Sequence, residues 1–146
     1  MSAFHAAIAW QRTSETFTSE TYNREHTWDF GPAGVVQGSA APDYRGLPSH
    51  VNPEQAFVAA VSSCHMLTFL AVAANRGLNV RTCTDPAVGY LEKDEAGHLA
   101  ITRVELRPVV VFDGDTPDEA LLARLHASAH RGCFIANSVR AVVTVV

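Results

Sequence analysis

Basic residues are few in this sequence and nowhere gathered: eleven Lys and Arg stand against fifteen Asp and Glu, for a net charge of −4. With no basic block, nucleic acid and anionic membrane surfaces are excluded as partners. Cysteine is scarce too, and its count of three is odd. A structural disulfide framework is therefore not expected, and each thiol reads as free, catalytic or redox-cycling. The opening residues, MSAFHAAIAWQRTSE, have neither the charged start nor the long apolar run of a secretory signal. Together with the cysteine usage this predicts a cytoplasmic protein. No internal repeat or low-complexity tract interrupts the 146 residues, and that length predicts one domain over 1–146.

What the sequence does have is one long apolar stretch, NPEQAFVAAVSSCHMLTFLAVAANRG, from Asn52 to Gly77. Its ends are written as helix ends: Asn52 to cap, Pro53 at the first position, Glu54 where the helix dipole favours a carboxylate, and Gly77 as the left-handed stop. About 24 residues at 1.5 Å each give a rod of roughly 36 Å. One chain of this size has too little surface to cover such a rod, so a second copy is expected to share its burial. A membrane span is the rival reading. Ser62, Ser63, His65 and Thr68 interrupt the run, no basic cluster marks a cytoplasmic side, and mean hydropathy is near zero, all of which favour a buried core helix.

On either side the pattern is β. His5–Trp10 and Thr16–Trp28 alternate roughly and predict a hairpin or meander, followed by a long glycine- and proline-rich connection from Gly31 to Pro48. After the helix, strands are predicted over Val80–Cys83, Ala87–Lys93 and, as one long strand, His98–Phe112. Thr116-Pro117-Asp118-Glu119 opens an amphipathic helix ending near Gly132, and Arg140–Val146 reads as a closing strand. Helices and strands are segregated, which makes the class α+β with antiparallel sheets.

Cys64 lies in the middle of the long helix, flanked by Ser62, Ser63 and His65. Alone it reads either as a nucleophile or as a small buried hydrophobe. Cys133, at the end of the second helix beside Gly132, supplies what a peroxidatic thiol needs, a second thiol to condense with its sulfenic acid. Cys83, in a strand, reads as structural. A thiolate calls for a nearby cation held by a carboxylate, and Glu54 is the only acid in the long helix. Ten residues separate Glu54 from Cys64, about 15 Å along the axis, so two copies packed antiparallel would have to bring them together. The cation is open between Arg24 in YNREH and Arg45 in DYRG. His126, His130 and Cys133, at i, i+4 and i+7, are a competing set of metal ligands. A non-catalytic ligand-binding or redox-sensing module is the other alternative.

The stretches NPEQAFVAAVSSCHMLTFLA and AHRGCFIANS resemble the OsmC/Ohr family of osmotically inducible and organic hydroperoxide resistance proteins, and YNREHTW and SAAPDYRG resemble its OsmC-like branch. The resemblance implies an intertwined homodimer whose antiparallel sheets wrap two long central helices. It also implies a thiol-dependent peroxidase that reduces organic hydroperoxides, with Cys64 as peroxidatic and Cys133 as resolving cysteine. Glu54 matches the carboxylate that positions an active-site arginine, and that arginine falls on Arg45 by the OsmC pattern or on Arg24 by the Ohr pattern. No metal, haem or flavin is implied; an external dithiol, a lipoyl group or a small thiol, would reduce the enzyme. Phe57, Leu67, Phe69 or Phe134 are expected to wall the pocket and favour alkyl substrates.

Overall fold

The computed structural model describes residues 1–146, which divide into two compact units, Met1–Ala56 and Phe57–Val146. In the first unit, β1 (Ala7–Trp10), β2 (His26–Asp29) and β3 (Val35–Gly38) form an antiparallel sheet in that order. Trp10 faces His26 across one ladder and Asp29 faces Val35 across the other. A strand was predicted over Thr16–Trp28, but only His26–Trp28 is extended; the preceding residues form turns. The Thr21 hydroxyl accepts from the Thr18 amide at 3.0 Å and donates to the Thr16 carbonyl at 2.9 Å. Short hydroxyl side chains here compete with a ladder and win. The predicted Gly31–Pro48 connection is correspondingly not structureless: it contains β3 and 3-10 turns at Gly31–Ala33 and Pro42–Tyr44.

The long helix, α1, spans Pro53–Asn75. The Gln55 amide donates to Asn52 Oδ1 at 2.8 Å and the Asn52 amide donates to Gln55 Oε1 at 3.2 Å, a reciprocal cap. Gly77, at φ 72°, supplies the left-handed residue that ends it.

In the second unit, β4 (Val80–Thr84) pairs with β7 (Val109–Phe112), while β5 (Val88–Lys93), β6 (Leu99–Leu106) and β8 (Val142–Val145) form a separate sheet. The predicted single strand over His98–Phe112 is thus two strands in two sheets, broken at Arg107-Pro108, because proline has no N–H to continue a ladder. The sheets are not wholly antiparallel either. β8 runs parallel to β6, which the long return through β7 and α2 (Glu119–Gly132) makes possible. The α2 cap is Asp118, whose side chain accepts from the Leu121 amide at 2.7 Å.

Two apolar clusters hold α1 in place. Val61 packs with Val104 and Leu106 of β6, and Gly89 of β5 leaves room for Val58, which any Cβ there would strike. Phe69 and Ala73 pack with Leu125 and Ala129 of α2. Val61, His65, Phe69 and Ala73, at i, i+4, i+8 and i+12, are the only fully buried residues of the helix. One chain therefore covers a single stripe of a rod that was expected to be buried on nearly every side. Leu67, on the open side, is 61% exposed. By length and composition α1 could also cross a membrane, but its buried stripe is occupied by α2 and β6.

Candidate functional site

Cys64 stands in the middle of α1, and Cys133 follows directly on α2 as its C-terminal cap residue. Both are free thiols; Cys64 is partly buried and Cys133 has no exposed surface. The chain turns sharply after Cys133. The Asn137 amide donates to the Cys133 carbonyl at 3.0 Å and the Ala136 amide donates to Cys133 Sγ at 3.3 Å. This turn presents backbone N–H groups to the neighbouring helix.

Burial of the Cys64 sulfur pushes its pKa up, but the Ile135 N–H, the Cys133 thiol, the Phe134 N–H and the Thr68 hydroxyl outweigh it, and the pKa falls below the ordinary thiol value. Hydrogen bonds to the charged form are what favour a thiolate. Cys133 is shifted the other way, by burial first and also by the neighbouring Cys64, against the Ala136 N–H. The two sulfurs are therefore shifted in opposite directions, Cys64 toward the thiolate and Cys133 toward the thiol. Cys83, on β4, is also raised, by burial and by Asp85, as expected of a structural residue.

His65, next to Cys64, turns into the α1–α2 contact. Its Nε2 shares a 3.1 Å hydrogen bond with Nδ1 of His126, the rings lie nearly parallel, and Phe69 stacks on His126 at 4.4 Å. Burial, then the charges of His126 and His130, lower the His65 pKa to about 4. Burial lowers that of His126 as well. His65 Nδ1 is buried without a partner. The competing metal set of His126, His130 and Cys133 does not form: His126 is committed to His65, His130 is exposed, and the structure contains no group of three such ligands. The helical spacing was right, but of the two histidines only His126 is buried against α1, and His130, one turn on, is exposed. Phe69 cannot wall a substrate pocket either, since it is wholly buried in the α1–α2 core.

The residues expected to supply the cation lie in the first unit. Arg24 is half-buried, donates to the carbonyls of Tyr22 and Ser19, and lies 3.7 Å over the Tyr22 ring. Arg45 is exposed, with one 3.5 Å contact to the Ser19 carbonyl, and its backbone has φ 63°, a left-handed conformation unusual for a non-glycine residue. Neither pairs with Glu54 within the chain. Glu54 Oε2 is instead buried with no hydrogen-bond partner, an arrangement a native protein does not leave uncompensated without reason. Arg24 also lines a cavity of about 430 Å³ with Trp10, Phe17, Tyr22 and His26.

A family profile described as OsmC-like protein matches residues 46–146. The chain belongs to the OsmC-like family. An OsmC-like protein of unknown function from Vibrio cholerae is 44% identical, with a TM-score of 0.95 over 100% of this chain and 99% of that one. An organic hydroperoxide resistance protein from Elizabethkingia anophelis shares the fold at 18% identity, TM-score 0.73, over 99% and 93% of the two chains. A Bacillus subtilis protein of the same description does so at 23% identity, TM-score 0.66, over 97% and 95%. No curated protein matches the chain. In this OsmC-like chain the thiolate-stabilising groups that sequence reasoning missed are Thr68 and the N–H groups of Phe134 and Ile135. Thr68 had a legible signal, one helical turn after Cys64; the backbone groups had none.

Proposed function

We propose that the protein is a thiol-dependent peroxidase that reduces organic hydroperoxides to alcohols in oxidative stress defence. The observation that carries this is the asymmetric thiol pair: the donors around Cys64 shift it toward the thiolate, while burial and Cys64 itself shift Cys133 toward the thiol. The Cys64 thiolate attacks the outer oxygen of the hydroperoxide; the O–O bond breaks, the alkoxide takes a proton and leaves as alcohol, and Cys64 is left as a sulfenic acid. Cys133 sulfur then attacks Cys64 sulfur, the S–O bond breaks, and one water leaves with the Cys133 proton. An external dithiol, a lipoyl group or a small thiol, takes up the disulfide by exchange and is itself oxidised. No metal, haem or flavin enters these steps.

The reading places the working site in a homodimer. The open side of α1, with Leu67, supports this, as does a buried carboxylate oxygen on Glu54 that its own chain leaves unpaired. Glu54 orients Arg45 or Arg24, and the arginine in turn steadies the thiolate and the peroxide. Arg45 is the better candidate, since its guanidinium is nearly free while that of Arg24 is taken up by Tyr22 and Ser19. Phe57 and Phe134 remain available as apolar walls that favour alkyl hydroperoxides over hydrogen peroxide.

The test is turnover of cumene hydroperoxide with reduced lipoamide by the wild-type protein and by Cys64→Ser. The wild type consumes many equivalents and the variant none. A single stoichiometric oxidation without turnover would instead support a redox sensor.

A further inference from the structure

Thr68 faces Cys64 on one side and the end of α2 on the other. It stands one helical turn after Cys64, and its hydroxyl donates to the Cys64 carbonyl at 2.9 Å. The same hydroxyl helps to lower the Cys64 pKa, and with a single proton it serves the carbonyl or the sulfur at any one time. Its methyl points at Gly132, the last residue of α2, where a Cβ would come to 3.0 Å of Thr68 Cγ2. Gly132 is also the residue before Cys133. Glycine in a helix is unfavourable by about 1 kcal/mol relative to alanine, and here its backbone has no positive φ to call for it. Close approach to Thr68 is the feature that requires it.

We propose that Thr68 is a two-sided positioning residue, its hydroxyl setting the Cys64 turn and its methyl seating against Gly132, so that one side chain fixes how Cys133 meets Cys64. The inference deepens the peroxidase reading by naming what governs the resolving step, but it concerns only the two thiols and can be read without a peroxide.

The experiment uses the full chain with Cys83→Ser, reduced and then treated with an aryl disulfide, Ellman's reagent. The Cys64 thiolate displaces one coloured thiolate and forms a mixed disulfide. Cys133 then attacks the Cys64 sulfur, releases the second coloured thiolate and closes the Cys64–Cys133 bond. The first phase, followed against pH, reports the Cys64 thiol; the second reports closure.

Thr68→Val keeps the bulk and loses the hydroxyl, so the first-phase midpoint should rise by about half to one pH unit. Gly132→Ala puts a Cβ against the Thr68 methyl, displaces the end of α2 and should slow closure by about tenfold. Thr68→Ser combined with Gly132→Ala removes the methyl that the new Cβ meets and should restore closure. Closure at the wild-type rate in Gly132→Ala, or no restoration in the double variant, overturns the seating of Gly132. An unmoved midpoint in Thr68→Val overturns the role of the hydroxyl. A protein that shows all three effects yet consumes no hydroperoxide keeps this inference and loses the peroxidase reading.

Discussion

Cys64 in mid-α1 and Cys133 at the end of α2 act on each other in opposite senses: Cys133 helps to lower the Cys64 pKa, and Cys64 helps to raise that of Cys133. The donors around Cys64 come from three places: its own helix, the end of α2, and the turn that follows. Deprotonation of Cys64 is thus tied to the packing of α2 on α1.

The first consequence is a strict order of reactivity. Alkylation by iodoacetamide, mapped by peptide mass across pH, should label Cys64 first, with a midpoint below that of an ordinary thiol. Cys133 and Cys83, both raised by burial, should follow only at higher pH. Labelling of Cys133 ahead of Cys64 would reverse the assigned roles.

The buried histidine pair makes the fold acid-sensitive. His65 titrates at about 4 in the folded chain against 6.5 unfolded, so below 6.5 the unfolded chain binds the proton more readily. The stabilisation is present in full above pH 6.5, declines as pH falls, and is gone by about pH 4. The whole shift is worth roughly 3 kcal/mol at most. Urea unfolding at pH 7.5 and pH 5 should show a lower midpoint at pH 5. His65→Gln, which cannot titrate, should flatten that difference, and an unchanged slope would show that other groups carry it.

The two arginines should separate by phenotype. Arg24 ties together the Ser19–Tyr22 turn, so Arg24→Ala should lower the melting temperature of the first unit. Arg45→Ala touches almost nothing within the chain and should leave melting unchanged, while lowering kcat/KM for an organic hydroperoxide by about a hundredfold. The opposite pattern would make Arg24 the active-site cation.

Much of this architecture is legible in the residues. Asn52, Pro53 and Gly77 mark the ends of α1, and Asp118 marks the start of α2, because caps are local chemistry. What is not legible depends on contacts between distant segments. Alternation runs on through Pro108, so the shift from one sheet to another is hidden, and nothing near Val142 says that it will lie parallel to Arg103. His65 and His126 pair across 61 residues of sequence. The two thiols stand out because cysteine is rare here, whereas the N–H groups of Phe134 and Ile135 belong to the backbone and have no residue-type signature.

Sharing of α1 between two copies should show in solution. The wild-type chain of 15.7 kDa should sediment as a dimer of about twice that mass. Leu67→Glu puts a charge on the open apolar face and should shift it to monomer, with loss of peroxidase turnover. A wild-type monomer with full activity would remove the shared site from the account.

The most direct test is a count of thiols. The reduced protein, treated with one equivalent of cumene hydroperoxide and then unfolded, should lose two of its three thiols. A proteolytic digest should yield one cross-linked peptide joining Cys64 to Cys133. Three intact thiols, or a bond that involves Cys83, would contradict the central claim.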